Sequence, residues 1–277
     1  MINFGFCQLL TKLNFSNKNY CYIVLIYIFS LHCNAFADTS PFQKFDNNFM
    51  LGASTLSSPG NYWASSLNLK GEALFDNGLW LELPASTKLT YSVDNNKDTS
   101  ISKTLNNSAG SSIGLSAGYA FLIGNNYNII PYVGFAYRNQ LLAVNEDSIQ
   151  QFIIEDPSFN WSVGFKNELI AIPQKLKFSV NAGFNYGSHN AVIPDSLDNN
   201  MLGHFDYTQY TLSVSPAVQW NFSERFTLVG YYQLNYNFSD TQNIPGIPYS
   251  QMNVNTDQYL MTNYVQNILG ISIGILF

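Results

Sequence analysis

Cysteine is nearly missing from this 277-residue chain: Cys7, Cys21 and Cys33 are its only copies, and all lie in the first 37 residues. The rest of the chain therefore has no thiol for disulfide bracing, nucleophilic catalysis or cysteine-based metal binding. Histidine is as scarce, with His32, His189 and His204 the whole supply. Two histidines in the body of the chain are too few to build a metal centre, and no metal or other cofactor is expected. Cations are few as well, 12 Lys and Arg against 18 Asp and Glu, for a formal charge of −6. Such a chain has little to offer a phosphate backbone, so no nucleic-acid partner is expected. Glycine-rich phosphate loops are absent. No apolar run reaches the ~20 residues that a membrane-spanning helix requires.

The longest apolar run, Cys21 to Leu31, lies near the start. Lys12 and Lys18 precede it, and Ala35-Phe36-Ala37 follows. A basic flank, a short apolar core and a small-x-small site predict a signal peptide over residues 1–37, cut after Ala37. The stretch ahead of Asn17 is long for a leader, which points to a start downstream of Met1. Removing the leader takes two lysines and no acid, leaving ten cations against eighteen acids and a charge of −8.

What the chain does have is aromatics, 18 Tyr and 21 Phe, and long stretches of alternation. At the end, Leu269, Ile271, Ile273 and Ile275 fall at every second place, with Gly270, Ser272 and Gly274 between them and Phe277 last. Period two makes one face of a strand apolar and the other compact. Ten such strands are expected, near 47–56, 62–75, 79–91, 112–122, 127–138, 159–171, 176–187, 207–222, 226–238 and 264–277. Tight turns are expected at Asp76-Asn77-Gly78, Gly124-Asn125-Asn126, Pro173-Gln174-Lys175 and Ser223-Glu224-Arg225, where Asn and Gly tolerate positive φ. Long polar loops alternate with them, near 92–111, 139–158, 188–206 and 239–263, with a shorter one at 57–60.

Short turns on one side, long loops on the other and an even strand count predict an all-β fold over 38–277. It is a closed antiparallel transmembrane β-barrel of ten strands, with eight or twelve as alternatives. Both termini would then be periplasmic. A secreted β-sandwich shares the alternation but not these strand lengths or this loop pattern. Aromatic residues at both strand ends predict two interfacial girdles, one with Trp220, Phe222 and Phe226, the other with Tyr137, Trp161 and Tyr186. Pro84, Pro131 and Pro216 fall inside expected strands, where bulges or locally broken pairing are expected.

The terminal strand resembles the closing strand of bacterial outer-membrane barrels. In that family the terminal aromatic, here Phe277, and the alternate residues Ile275, Ile273 and Ile271 are read by the barrel-insertion machinery. Gly114-Leu-Ser-Ala-Gly-Tyr-Ala-Phe121 followed by Pro131-Tyr-Val-Gly-Phe-Ala-Tyr137 resembles a hairpin of small outer-membrane barrels, the opacity-protein group among them. The resemblance implies a bacterial outer-membrane location, with membrane lipid and lipopolysaccharide as neighbours.

Candidate chemistry lies in the lumen and the loops. Lumen-facing positions carry Lys70, Glu72, Glu82, Lys88, Arg138, Lys166, Glu168 and Lys177. Glu72 is expected opposite Glu82, and Glu168 opposite Lys177. Facing carboxylates could serve as an acid/base pair, but buried charges in a small barrel must be neutralised, so an internal ion network is expected. Arg138 has the shape to bridge two carboxylates but lies too near the far end of its strand. Lys166 and Lys177 match the depth of the glutamates, and either is expected to partner Glu72 and Glu82, with Glu168 sharing it.

Enzymatic barrels offer a contrast. Omptin-type proteases use an Asp pair and an Asp/His pair, whereas here His204-Phe205-Asp206 is the only His/Asp pair close in sequence, without an Asp-x-Asp partner. The His-x-Ser of lipid A deacylases is also absent. The expectation is a non-enzyme: a surface-exposed structural or adhesin-like protein with a filled lumen. Its loops carry apolar clusters at 141–144, 152–154 and 244–249 that could meet a host or matrix ligand. A narrow, porin-like pore for small solutes is the alternative, and an omptin-type protease a remote one.

Overall fold

The first hairpin shows how these residues make the architecture. Alternating residues 62–74 and 79–92 extend as strands, and Asp76-Asn77-Gly78 turns the chain between them. Phe75 N–H donates to Leu79 O at 2.8 Å and Gly78 N–H to Phe75 O at 2.9 Å. Gly78 sits at φ +84°, which a side chain disfavours. Two later turns place Gly124 at +69° and Gln174 at +60°. In the fourth, the Ser223 hydroxyl accepts Phe226 N–H at 3.0 Å. Gly78→Ala is expected to cost about 1–2 kcal/mol, since the backbone is strained and the added methyl meets the Tyr119 ring at 2.9 Å. Urea unfolding in lipid vesicles measures this. Gly124→Ala is the comparison, because its methyl meets nothing within 4 Å and carries the backbone cost alone.

A computed structural model describes residues 41–58, 62–92, 105–146, 150–194, 201–240 and 263–277. It contains β1 (Asn48–Ser58), β2 (Tyr62–Leu74), β3 (Leu79–Ser92), β4 (Leu105–Tyr119), β5 (Phe121–Ile123), β6 (Tyr127–Glu146), β7 (Gln150–Ile172), β8 (Leu176–Pro194), β9 (Met201–Asn221), β10 (Phe226–Asp240) and β11 (Asn263–Leu276). One helical turn, α1 (Gln43–Asp46), precedes them. Neighbours in sequence pair antiparallel, and β1 pairs with β11 from Asn48↔Leu276 to Ser57↔Asn267, which closes the barrel. β4 and β5 are two parts of one stave broken at Ala120, whose N–H donates to Gly78 O at 2.8 Å. Both parts pair with β6, so the barrel has ten staves. Phe277 follows one residue after β11.

The outer face carries the apolar set. Leu269, Ile271, Ile273 and Ile275 are 52–65% exposed, as are Val163, Phe165, Trp161 and Trp220 within the range 50–60%. So much bared apolar surface is explicable only where lipid covers it. Trp220, Phe222 and Phe226 cluster at the turn end of this belt, ring centroids 5.8 and 6.1 Å apart in sequence order. Tyr137, Phe159, Phe135 and Trp161 cluster towards the other end.

The strands run further than their alternation predicts. β7 has 23 residues and β9 21, where ~9–11 span a bilayer. The described parts of the expected loops 92–111, 139–158 and 188–206 are mostly strand: Leu142 pairs with Ile154, Ala143 with Ile153 and Val192 with His204. Beyond the lipid belt both faces of a strand meet water, so the ladder continues while the period-two hydropathy disappears. Residues 93–104, 147–149, 195–200, most of 239–263, the 57–60 turn beyond Ser58, and the expected leader 1–37 lie outside the described residues.

The prolines produce lapses rather than bulges. Pro84, Pro131 and Pro216 keep register partners on one side, Lys70, Phe165 and Val180. On the other side the pairing skips two residues and resumes in the same register. A missing N–H costs one ladder bond without needing an inserted residue. Register shifts occur elsewhere, at Leu105/Asn107, Ile170/Ile172 and Ile193/Pro194.

Candidate functional site: the stoppered lumen

Residues 41–47, Pro-Phe-Gln-Lys-Phe-Asp-Asn, run ahead of β1 and close the lumen at its turn end. Phe42 and Phe45, three apart, share one side of the single turn of α1 and are completely buried. They pack with Leu74, Trp80, Ala120, Ile130 and Ile170, which β2, β3, the stave break, β6 and β7 contribute from the wall. One isolated helical turn has no stability of its own. The wall supplies it: Gln219 donates to Phe45 O at 2.9 Å, Asn48 to the same oxygen at 2.6 Å and Asn221 to Lys44 O at 3.3 Å. Gln43 donates to Asp76 Oδ1 at 2.7 Å, and the Asn47 side chain accepts Leu74 N–H at 2.7 Å.

Asp46 ends α1 inside the barrel, fully buried. There it meets the charges of the wall. Lys166 Nζ stands among three carboxylates: Asp46 at 3.4 Å, Glu168 at 2.7 Å and, closer still, Glu72. Lys177 Nζ is shared by Glu168 at 2.7 Å and, more closely, by Asp46. Lys70 bonds Glu72 at 2.9 Å and Glu82 at 3.3 Å. Trp80 Nε1–H donates to Glu72 at 2.7 Å, and Asn128 to Glu168 at 3.1 Å. Lys166 also lies 5.4 Å from the Trp80 ring centroid and Lys177 5.6 Å from that of Phe45, so each ammonium has an aromatic flank.

Oxygens of Asp46, Glu72 and Glu168 come within 4.8 Å of one another. The arrangement is a cation site whose cation is the Lys166 ammonium. Burial, reinforced by the Glu168 carboxylate, pushes the Asp46 carboxyl up to about 7. Among the described residues its Oδ2 has no hydrogen-bond partner, and the carboxylate is bound through Oδ1.

Of the charges read from the sequence, Glu72, Glu82, Lys166, Glu168 and Lys177 thus meet around one level of the lumen. Glu72 pairs directly with Glu82 in register, as the turn at Gly78 requires. Lys177, however, registers with Ile170 rather than Glu168: the turn pairs Ile172 with Leu176, the one-residue shift after it sets Ile170 opposite Lys177 and Glu168 opposite Ser179, and Lys177 reaches Glu168 diagonally. Arg138 is exposed, opposite Ser158 on β7, and is part of no ion pair in this network. Asp46 and the two phenylalanines were not anticipated. Their signal is short, a proline followed by aromatics at i and i+3, and nothing in it distinguishes a stopper from a solvated lead-in.

A second cluster sits beyond the lipid belt. His189 Nδ1 is 3.1 Å from both oxygens of Asp156, and Tyr207 OH donates to Asp156 Oδ2 at 2.6 Å. The imidazole stacks on the Tyr207 ring with centroids 4.3 Å apart. β7, β8 and β9 each give one residue, so their proximity is invisible to a reading of close sequence pairs. His204 and Asp206, which that reading singles out, lie in β9 opposite Val192 and Asn190. His189 Nε2 is buried and has no partner among the described residues. The carboxylate fixes the ring, and the second nitrogen is buried.

No family model and no curated protein matches the chain. Among solved structures, the chain is similar to the translocator domain of the autotransporter NalP from Neisseria meningitidis, at 8% identity and TM-score 0.47, covering 94% of this chain and 96% of that one. It is also similar to the outer membrane protease OmpT from Escherichia coli, at 10% identity, TM-score 0.42 and coverage of 82% and 92%. A third is Ail, the attachment invasion locus protein of Yersinia pestis in complex with the heparin analogue sucrose octasulfate, at 12% identity, TM-score 0.33 and coverage of 83% and 98%. The architecture rests on this chain's own strand pairing and apolar outer belt: it is a closed, ten-stave antiparallel barrel of the membrane-spanning kind.

Proposed function

We propose that this is a non-enzymatic, surface-exposed contact protein, adhesin-like, in which a sealed barrel anchors loops that meet a host or matrix ligand. The stopper is the observation that carries this reading: Phe42 and Phe45 fill the turn end of the lumen with apolar rings, backed by a buried ion network. A permanently open porin has no use for such a seal. The long strands add support, because β6, β7, β8 and β9 continue past the lipid belt and carry their connections away from it. In this reading the turn end is periplasmic, the long-strand end faces outward, and lipid and lipopolysaccharide surround the belt. The enclosed His189 Nε2 favours a structural role for the Asp156–His189–Tyr207 cluster over a protease.

Loop deletion tests the proposal. Trimming within 93–104 and 241–262, clear of the strands, in whole cells is expected to abolish binding to host cells or matrix while heat-modifiable gel mobility, the signature of a folded barrel, is retained. Unchanged binding by a folded, trimmed protein would refute the contact role.

A further inference from the structure

We propose that residues 41–47 form a removable stopper, and that its withdrawal converts the barrel into a pore for small hydrophilic solutes. The inference does not depend on the contact role. It starts from what the large lumen side chains do. Tyr132 on β6 does not cross the lumen but lies along the wall, over glycines on the next two staves. A Cβ built on Gly164 meets its hydroxyl at 2.7 Å, and one on Gly183 meets it at 2.8 Å. The hydroxyl ends on Asn181 Oδ1 at 2.8 Å. Tyr231 on β10 lies over Gly270 of β11 in the same way, and its oxygen accepts from Asn68 Nδ2 on β2 at 3.2 Å.

Short polar side chains occupy the wall at middle depth and are satisfied along it. Ser54 and Ser66 are 2.6 Å apart, Ser86 and Ser112 2.8 Å, and Ser213 donates to Gly183 O at 3.3 Å. At this depth a polar wall with Tyr132 and Tyr231 laid along it is a tube lining rather than a packed core; it is nearer the turn end that Tyr132 meets Trp80, centroids 5.8 Å apart, and that Lys166 reaches across. The buried apolar cluster, by contrast, is gathered at the turn end around Phe42 and Phe45. Those two rings belong to the segment ahead of β1, not to any stave.

The stopper's attachments also differ in kind from a stave's. It has no place in the ladder and is held by five side-chain amides, one carboxylate and two rings. Leaving breaks no strand pair. The carboxylate leaves with it, and the wall at that level keeps Lys70, Lys166 and Lys177 against Glu72, Glu82 and Glu168. With the stopper out the wall is balanced, three charges of each sign, and Lys166, which reaches from β7 to Glu72 on β2, clears the passage by falling back on Glu168 of its own stave. The opened passage therefore sorts solutes by size more than by charge.

Planar-bilayer recording on the protein purified from membranes tests this. Asp46→Lys places a third ammonium between Lys166 and Lys177 and alters no wall residue. Repulsion at that depth is expected to raise the open fraction roughly tenfold or more over the wild type, in discrete steps. Gln43→Cys with Asp76→Cys, joined by a short bismaleimide, keeps Asp46 and pins the segment to the first turn. Pinned protein is expected to stay silent, and a pinned protein that conducts overturns the proposal. So does an Asp46→Lys protein that keeps heat-modifiable mobility yet conducts no more than wild type. Should Asp46→Lys fail to assemble, Phe42→Ser with Phe45→Ser loosens the same segment, and a folded but silent double variant overturns the proposal equally.

Discussion

Replacing Lys166 by methionine should destabilise the barrel by about 3–5 kcal/mol, the range for removing one partner from a buried ion network. The ammonium serves three carboxylates at once, and both it and they are nearly excluded from solvent. Methionine keeps most of the apolar stem but loses the ammonium over the Trp80 ring and leaves Glu72 without its closest cation. Lys70 still reaches Glu72 and Lys177 still reaches Glu168 and Asp46, so the loss is large but not total. Reversible urea unfolding in phospholipid vesicles reads the difference. Adding Glu72→Gln to Lys166→Met should recover more than half of it, since the double variant removes one charge of each sign. A single variant as stable as wild type would mean that the network contributes nothing net.

Ile271→Arg should cost about 2–4 kcal/mol, the depth-dependent penalty for a cation on the lipid face of a membrane barrel. Ile271 is 56% exposed on β11, between Leu269 and Ile273, with Ala53 and Gly230 as its cross-strand partners. On a water-facing surface the same exchange is worth within ±0.5 kcal/mol. The two environments therefore differ severalfold, and vesicle unfolding distinguishes them without any ligand. Slower assembly into vesicles is expected as well, because the alternation of Ile271, Ile273 and Ile275 is broken. Thr227→Arg would not be a fair control, since that side chain is fully buried in the lumen. Ser188→Arg is one, being exposed on β8 where the lipid belt gives way to polar residues.

The barrel itself was legible because lipid on one side and a polar lumen on the other impose period two, and tight turns need the residues that tolerate positive φ. The ends of strands were not. Past Tyr186 on β8 the outward residues become Ser188 and Asn190, and no hydropathy contrast remains to mark the ladder that continues to Pro194. The lumen glutamates and lysines could be grouped by their distance from the turns, which places Glu72, Glu82, Lys166 and Lys177 together. Asp46 could not be, because it stands on no strand and has no register. Likewise the contact between Asp156, His189 and Tyr207 arises from three staves side by side, and pairing between distant stretches leaves no mark in local spacing.

Ten staves fix the circumference of this barrel, but they do not fix its bore. Where a tyrosine can lie down over a glycine, as Tyr132 does over Gly164 and Gly183, an aromatic side chain takes almost nothing from the opening. Put a methyl or hydroxymethyl group under it and the ring must stand up, into the axis. Bore can therefore be adjusted one residue at a time, at positions that touch neither lipid nor loops, while strand number and surface stay the same. A lineage of such barrels could pass between solid pegs and hollow tubes by exchanging glycine and alanine at a handful of wall positions.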